Sequence, residues 1–269
     1  VEAVYQAVLQ TVQLAQKQHQ PIDFLTFVPD GEPTLDQNLG AEINALRELG
    51  YPIAIITNGA LIDRPDVRRA LGKADWVSLK IDSVIDHIWH SINHPHRVLR
   101  LDAILSGMLT FASEFGGEFV TETMLVSGLN DDMDSINRLA DFLYALQPFK
   151  SYLSTPIRPP AESWVCPLEA ERFTEIRQII SKSVPVTLPL IDIEENKFVS
   201  TGDLVQDILN TTAVHPLREE ALRQMLAKAG ADWSVIEDLV TAGEIARVRY
   251  RGTNFYLRCF SKPSQLPLK

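Results

Sequence analysis

A carboxylate stands in a turn directly behind a buried strand near the start of the sequence. The run Ile22–Val28 is rich in β-branched and aromatic residues, which indicates a strand, and the proline- and glycine-rich segment Pro29–Pro33 indicates an abrupt turn. Parallel α/β folds bind ligands at the carboxyl ends of their strands. Gly31 lets a ligand approach the main chain, and Glu32 supplies an acceptor for an ammonium group. The segment predicts either a site for a small zwitterion or a plain strand-to-helix turn.

Two later strands carry ionisable side chains among apolar ones. At the end of the strand Trp76–Ile81, Lys80 and Asp82 fall on a polar face, and the alternate positions are apolar. If the sheet closes toward a barrel, the polar face lies inside it, where a charge needs an ion partner or a ligand. Both interpretations remain open for this pair. Glu122 lies in the middle of the strand Glu118–Val126 and needs a partner for the same reason.

Two loop residues are weaker candidates. Asn58 follows the strand Pro52–Thr57 and precedes a glycine, so it is either a turn residue or a ligand contact. Arg158 lies between prolines after the last strand of the series, where it either binds a carboxylate or phosphate bidentately or is a solvated loop residue. The histidines between positions 87 and 96 match no zinc-binding spacing, so we expect no metal site among them.

Strands alternate with helices over the first two thirds of the chain, with five strands before Pro160. Parallel neighbours need crossover helices, so this order predicts a parallel sheet with helices outside it. After Thr201 the pattern changes to three helices and then to two strands around the turn Arg251–Thr253, which predicts a small winged-helix domain. We therefore expect one domain over residues 1–190 and a second over residues 200–262.

The carboxyl ends of four of these strands resemble those of radical S-adenosylmethionine (SAM) proteins. The matching segments are Gly31–Leu35, Ile55–Gly59, Val77–Ser83 and Glu122–Asp131. Within that superfamily, the sequence is similar to the branch of the wyosine-forming tRNA enzymes and the glycyl-radical activating enzymes. The resemblance implies a partial (βα)6 TIM-like barrel, with SAM and a 4Fe-4S cluster as cofactors and an electron donor for the cluster.

The sequence departs from the family in its cysteines. The resemblance implies three cluster ligands spaced Cys-x3-Cys-x2-Cys after the first barrel strand, but the chain contains only Cys166 and Cys259, far from each other and from that position. We expect that the first strand and the cluster loop are missing, as in a truncated form. The alternative is a degenerate relative that has lost the cluster.

The resemblance also implies roles for the candidate residues. Gly31, Glu32 and Pro33 would line the methionyl ammonium group of SAM, and Glu122 would contact the SAM ribose or the substrate. Asn58, Lys80, Asp82 and Arg158 complete the predicted cofactor site. In such enzymes the iron and the cofactor supply the chemistry, and the protein positions them and excludes water.

Charge and hydropathy limit the partners. The formal net charge is −10. The excess of acidic over basic residues lies in the first 200 residues, because the chain from Thr201 onward has nine basic and eight acidic residues. This charge argues against tight sequence-independent binding of nucleic acid, and we do not expect DNA binding. The sequence has no apolar run of about 18 residues that would span a membrane, and two cysteines without a predicted partner fit a cytoplasmic protein.

Two functions from different classes remain. The first is a radical SAM enzyme that acts on an unknown small-molecule, protein or RNA substrate. The second is a non-catalytic barrel scaffold whose winged-helix module binds a protein or RNA partner. The predicted third helix of that module carries Asp232, Glu237 and Asp238, which would repel phosphate. The predicted hairpin carries Arg247, Arg249 and Arg251, which offer a contact for RNA or an acidic protein.

Overall fold

The structure is a computed structural model, and it describes residues 1–28, 31–190, 202–214 and 216–259. The chain divides into two compact units. The first unit consists of Val1–Pro156 and Trp164–Asp192, and the second consists of Ile157–Ser163 and Ile193–Lys269. Each unit contains a hydrophobic core of its own.

Six parallel strands form the sheet of the first unit, and each strand pairs with the next one in the chain. They are β1 (Leu25–Phe27), β2 (Ile53–Thr57), β3 (Trp76–Lys80), β4 (Glu118–Met124), β5 (Lys150–Ser154) and β6 (Thr187–Pro189). A sheet of this kind needs a crossover between every two strands, and crossovers of one hand place the connecting helices on one side of the sheet.

Helices precede β1 and connect the strands. They are α1 (Glu2–Lys17), α2 (Leu39–Arg47), α3 (Pro65–Leu71), α4 (Asp86–Asn93), α5 (Leu101–Glu114), α6 (Met133–Leu146) and α7 (Ala170–Ile180). Helix α6 begins at Asp132, whose side chain accepts hydrogen bonds from the amides of Asp134 and Ser135. Helix α4 ends at His94, which adopts a left-handed conformation before Pro95, because a helix cannot readily continue into a proline.

The parallel sheet confirms the predicted α/β class, but β6 is not among the five predicted strands. It has only three residues, and Pro185 and Pro189 at its ends resemble turn residues in the sequence. The sheet reaches six strands within the residues that the structure describes, whereas the sequence reached that number by adding an absent first strand. The absent strand stays a prediction.

Helix α5 packs closely on the loop after β2, at Gly107. A Cβ atom there would lie 2.6 Å from the amide nitrogen of Asp63 and 2.7 Å from the carbonyl of Ile62, and main chain cannot move aside as a flexible side chain can. Replacing a helical glycine with alanine ordinarily stabilises a helix by about 1 kcal/mol. We expect Gly107→Ala instead to lower the free energy of unfolding by about 2 kcal/mol, because of overpacking.

Urea unfolding checks the Gly107 prediction. Gly116→Ala is the matched control, because a Cβ at Gly116 would meet no heavy atom within 4 Å. The control should change the stability by less than about 0.5 kcal/mol. Equal stabilities for the two variants would contradict the close packing of α5.

The second unit combines helices with a three-stranded antiparallel sheet of order β7-β9-β8. Its elements are α8 (Leu204–Val214), β7 (Leu217–Arg218), α9 (Glu219–Ala229), α10 (Ser234–Thr241), β8 (Ile245–Tyr250) and β9 (Thr253–Arg258). Ile208, Leu222 and Ile236 lie at its core, so a residue from each helix is buried there. The assignment of this unit as a winged helix, and the boundaries 1–190 and 200–262, stay predictions.

Some sequence features fall outside the described residues. Thr201, where the sequence pattern changes, and the turn residues Pro29 and Asp30 are among them. Within the ranges that the structure describes, no helix combines the length and the apolar character that crossing a bilayer requires.

Candidate functional site

The two faces of the parallel sheet differ in their polarity. On β3, Val77 and Leu79 are fully buried in the core shared with the helices. Ser78 and Lys80 alternate with them and therefore project from the opposite surface, which we call the inner face. Trp76, at the amino end of the inner face, packs against Phe24 with ring centroids 6.4 Å apart. The inner face thus has an aromatic contact at its amino end and polar side chains toward the carboxyl ends of the strands.

Lys80 and Asp82 form an ion pair at the polar end of the inner face. The Nζ atom of Lys80 lies 2.7 Å from Oδ2 of Asp82. The Asp82 side chain is fully buried, whereas the Lys80 side chain is 37% exposed. The exposed part of Lys80 leaves its ammonium group accessible to a ligand, and the buried carboxylate fixes its position. The structure therefore contains the ion pair as one of the two predicted alternatives, and the partly exposed Lys80 side chain can still contact a ligand.

Asp82 is held by two further donors. Its Oδ1 accepts a hydrogen bond of 2.8 Å from the amide of Met124, and its Oδ2 accepts one of 2.8 Å from the side chain of Asn93. Asn130 donates to the main-chain carbonyl of Asp82 over 2.8 Å, which ties the loop after β4 to the end of β3. A buried carboxylate is tolerated when such donors surround it.

Glu122 lies beside Lys80 on the inner face. The register of β3 and β4 places Lys80 opposite Glu122, and the register of β4 and β5 places Glu122 opposite Tyr152. Neighbouring strands are about 4.8 Å apart, so these three side chains form a row across the sheet. Ser78 donates a hydrogen bond of 2.5 Å to Oε1 of Glu122. This hydroxyl is the partner that a half-buried carboxylate in mid-strand needs.

Glu32 links the turn after β1 to the end of β2. Its Oε1 accepts hydrogen bonds from the amide of Thr34 at 3.1 Å, from the hydroxyl of Thr34 at 2.7 Å and from the hydroxyl of Thr57. Its Oε2 accepts a hydrogen bond of 2.9 Å from the amide of Asn58. The carboxylate thus positions the ends of two strands, a role that the sequence did not predict.

The other candidate residues in the turns after β1 and β2 differ in their exposure and hydrogen bonding. Gly31 is exposed, and a Cβ there would meet no heavy atom within 4 Å, so its main chain is open to a ligand. Pro33 is buried at the start of a 3-10 turn over Pro33–Leu35. The side chain of Asn58 accepts a hydrogen bond of 3.0 Å from the amide of Ala60, as a turn residue does.

Arg158 is assigned to a different unit from these residues. It belongs to the segment Ile157–Ser163, which is part of the second unit, whereas the other candidates belong to the first. Its place in a common cofactor site stays a prediction.

The sequence did not single out Thr57, Asn93 or Tyr152. Thr57 donates a hydrogen bond to Glu32, which is 25 positions away in the chain. Asn93 donates one to Asp82, which is 11 positions away. Tyr152 had a visible signal, because Lys150, Tyr152 and Ser154 repeat the alternation of β3. Two such strands side by side indicate a polar inner face.

The residues present do not fit a 4Fe-4S cluster, which is bound mainly by cysteine thiolates. The two cysteines of the chain lie in different units, with Cys166 exposed and Cys259 partly exposed. Among the described residues, no three histidine, cysteine, aspartate or glutamate side chains come together as a metal site.

Solved structures with this fold are radical SAM enzymes. The chain aligns with a domain of the pyruvate-formate lyase-activating enzyme from Bacteroides vulgatus at a TM-score of 0.52 and 17% identity, over 62% of this chain and 99% of that one. It aligns with a radical SAM methyltransferase from Sphaerobacter thermophilus at a TM-score of 0.55 and 18% identity, over 69% of this chain and 55% of that one. The shared feature is the fold, and it agrees with the partial barrel that the sequence predicts.

Relatives at higher identity carry a family name that states no function. No family model matches the chain. A UPF0026 protein of Helicobacter pylori is 30% identical over 74% of this chain, which spans 64% of that protein's length. The UPF0026 protein of Methanocaldococcus jannaschii is 43% identical over 89% of this chain and 75% of its own length. The chain belongs to the UPF0026 family.

Proposed function

We propose that the first unit binds SAM on the inner face of its sheet, as part of a radical SAM enzyme. The fold supports the proposal, because the neighbours that share it are radical SAM enzymes. The four strand ends that resemble the family also meet at one edge of a parallel sheet.

The observation that carries the proposal is the row Lys80–Glu122. One cation at the carboxyl end of β3 and one carboxylate two residues before the end of β4 stand side by side, and both are only partly buried. SAM has a carboxylate, an ammonium group and ribose hydroxyls, so it offers a partner to each. Lys80 would pair with the SAM carboxylate, and the oxygen of Glu122 that does not bind Ser78 would accept from the ribose or the ammonium group.

Gly31 and Glu32 would act at the rim in different ways. The carboxylate of Glu32 already accepts four hydrogen bonds from the protein, so it would shape the turn. The exposed main chain at Gly31 would then supply the carbonyl acceptors for the SAM ammonium group. Asp82 would hold the Lys80 ammonium group in place through their ion pair.

We assign no radical step to the residues of this chain, because its two cysteines do not fit the cluster. Reductive cleavage of SAM is therefore a proposal for the whole family protein. Anaerobic reconstitution of the M. jannaschii relative with iron and sulfide, followed by analysis for 5′-deoxyadenosine, tests it. Formation of 5′-deoxyadenosine would support the proposal, and a reconstituted protein that forms none would contradict it.

SAM binding by this chain is tested separately, by equilibrium dialysis with labelled SAM. We expect saturable binding with one SAM per chain. Lys80→Met and Glu122→Gln should each weaken it about tenfold, because each removes one charge-assisted contact. Lys150→Met is the matched control, since Lys150 projects from the same face nearer the amino ends of the strands, and its loss should change the affinity less than about twofold.

The control decides how the result is interpreted. If Lys150→Met weakens binding as much as Lys80→Met does, SAM responds to the overall charge of the inner face. That result would contradict a specific site at Lys80. Circular dichroism shows whether each variant is folded. Glu122→Gln keeps the shape of the side chain, so it tests the site even if Lys80→Met is destabilised.

A second candidate function is a non-catalytic scaffold that binds a partner. The cysteine count favours it, because two cysteines cannot supply the three cluster ligands that the resemblance implies. This function predicts no saturable SAM binding. The same dialysis experiment therefore separates the two candidates.

A further inference from the structure

Three arginines lie along one hairpin of the second unit. Arg247 and Arg249 belong to β8, and Arg251 follows them in the turn before β9. All three are exposed, and we call them the arginine hairpin. Arg247 and Arg249 project from one face of the strand, about 6.8 Å apart. Arg251 extends this row of positive charge to the tip of the hairpin.

The outer two charges of the row are not used by the fold. The side chains of Arg249 and Arg251 make no hydrogen bond or ion pair with any residue that the structure describes. Arg247 differs, because it lies opposite Tyr256 on β9 and close to Glu219. Hydrogen bonds from Asn254 and Arg223 lower the pKa of Glu219, so that carboxylate is already engaged. The tip of the hairpin therefore presents arginines that are available to a ligand.

The backbone at the tip also disfavours arginine. Arg251 has φ +46° and Gly252 has φ +85°, so both central turn residues are in the left-handed region, as in a type I′ turn. Asparagine, aspartate and glycine are the usual residues there, because a longer side chain is strained. An asparagine at 251 would serve the fold better. The arginine therefore needs an explanation other than folding.

The chemistry of the row favours a polyanion with a regular charge repeat. Arginine binds phosphate bidentately, and a nucleic acid strand carries a phosphate at every nucleotide, so it can contact the row in any register. An acidic protein surface would have to match the spacing by a specific arrangement of its carboxylates.

We propose that the arginine hairpin binds the phosphate backbone of a single-stranded nucleic acid. Helix α10 does not take part, because its exposed Glu237 and Asp238 would repel phosphates. Binding is expected to be modest and sensitive to salt, since the chain as a whole has a net charge of −10. This proposal does not depend on SAM binding.

Fluorescence anisotropy with the full chain tests the proposal. The probes are a labelled oligouridylate, an oligothymidylate of DNA and a polyglutamate peptide, over a series of salt concentrations. Three phosphate contacts to a single strand predict that the logarithm of the affinity falls with the logarithm of salt with a slope of about −2. Comparable binding of RNA and DNA is expected, because phosphate contacts do not read the sugar.

Variants separate the hairpin from general charge. Replacing all three arginines with glutamine should weaken binding about tenfold or more and abolish most of the salt slope. Arg69→Gln is the matched control, because Arg69 is an exposed arginine in the first unit without an ion pair to a described residue, and it should leave binding unchanged. Arg251→Asn should reduce the slope by about 0.7 and leave the melting temperature equal or higher.

The Arg251→Asn variant gives the sharpest result, because it is expected to lose affinity without losing stability. A lower melting temperature for this variant would show that Arg251 serves the fold, and it would overturn the proposal. No binding of either oligonucleotide at low salt, or equal binding by the triple variant, would also overturn it. Tighter binding of polyglutamate than of the oligonucleotides would identify an acidic protein as the partner instead.

Discussion

Replacing Asp82 with alanine should lower the free energy of unfolding of the first unit by about 3 kcal/mol. The substitution removes a fully buried carboxylate that pairs with Lys80 and accepts hydrogen bonds from Met124 and Asn93. Breaking a buried ion pair from one side costs about 3–5 kcal/mol. The lower end applies because Lys80 is partly exposed and can turn toward solvent. The amide of Met124 loses its acceptor, which contributes to the loss.

Urea unfolding followed by tryptophan fluorescence measures the effect, since Trp76 and Trp89 report on the first unit. Asp82→Asn is the conservative comparison, because its carbonyl oxygen can still accept from Met124, and it should cost about half as much. A double-mutant cycle with Lys80→Met isolates the coupling of the pair. If Asp82→Ala costs less than about 1 kcal/mol, the carboxylate is not buried as the structure shows.

Replacing Glu32 with alanine should destabilise the first unit by about 2–3 kcal/mol and also abolish SAM binding. The carboxylate accepts four hydrogen bonds that join the turn after β1 to the end of β2. Thr34 and Thr57 are buried, so their hydroxyls would lose an acceptor that water cannot easily replace. The turn would no longer hold Gly31 at the carboxyl edge of the sheet.

Urea unfolding and hydrogen exchange of the residues around Gly31 check this prediction. Glu48→Ala is the control, because Glu48 is exposed at the end of α2 and its loss should change the stability by less than about 0.5 kcal/mol. Weakened SAM binding with unchanged stability and unchanged exchange would show that Glu32 contacts the ligand directly. That result would contradict the positioning role that the hydrogen bonds indicate.

Local patterns in the sequence account for much of the fold. The alternation in Val77–Asp82 correctly separates an apolar face from a polar one, because successive residues of a strand point to opposite sides. The short strands β6 and β7 could not be predicted from the sequence. They have three and two residues, and such segments exist only because a neighbouring strand completes their hydrogen bonds.

The candidate site also has features that the sequence predicted and features that only the structure shows. The types of the residues at the strand ends, a glutamate after glycine and a lysine two positions before an aspartate, were visible in the sequence and indicated charge on the inner face. The sequence did not decide between an ion pair and a ligand for Lys80 and Asp82, and the structure shows the ion pair.

By itself, the sequence determined which side chains share a face of each strand, the α/β class of the first unit and the resemblance to radical SAM proteins. Only the tertiary structure decided which of those side chains meet. Ser78 and Glu122 are 44 positions apart, and Glu32 and Thr57 are 25 apart. Contacts over such distances depend on which strands are neighbours and on their register. Both are fixed by packing of the whole sheet and its helices, which no local pattern contains.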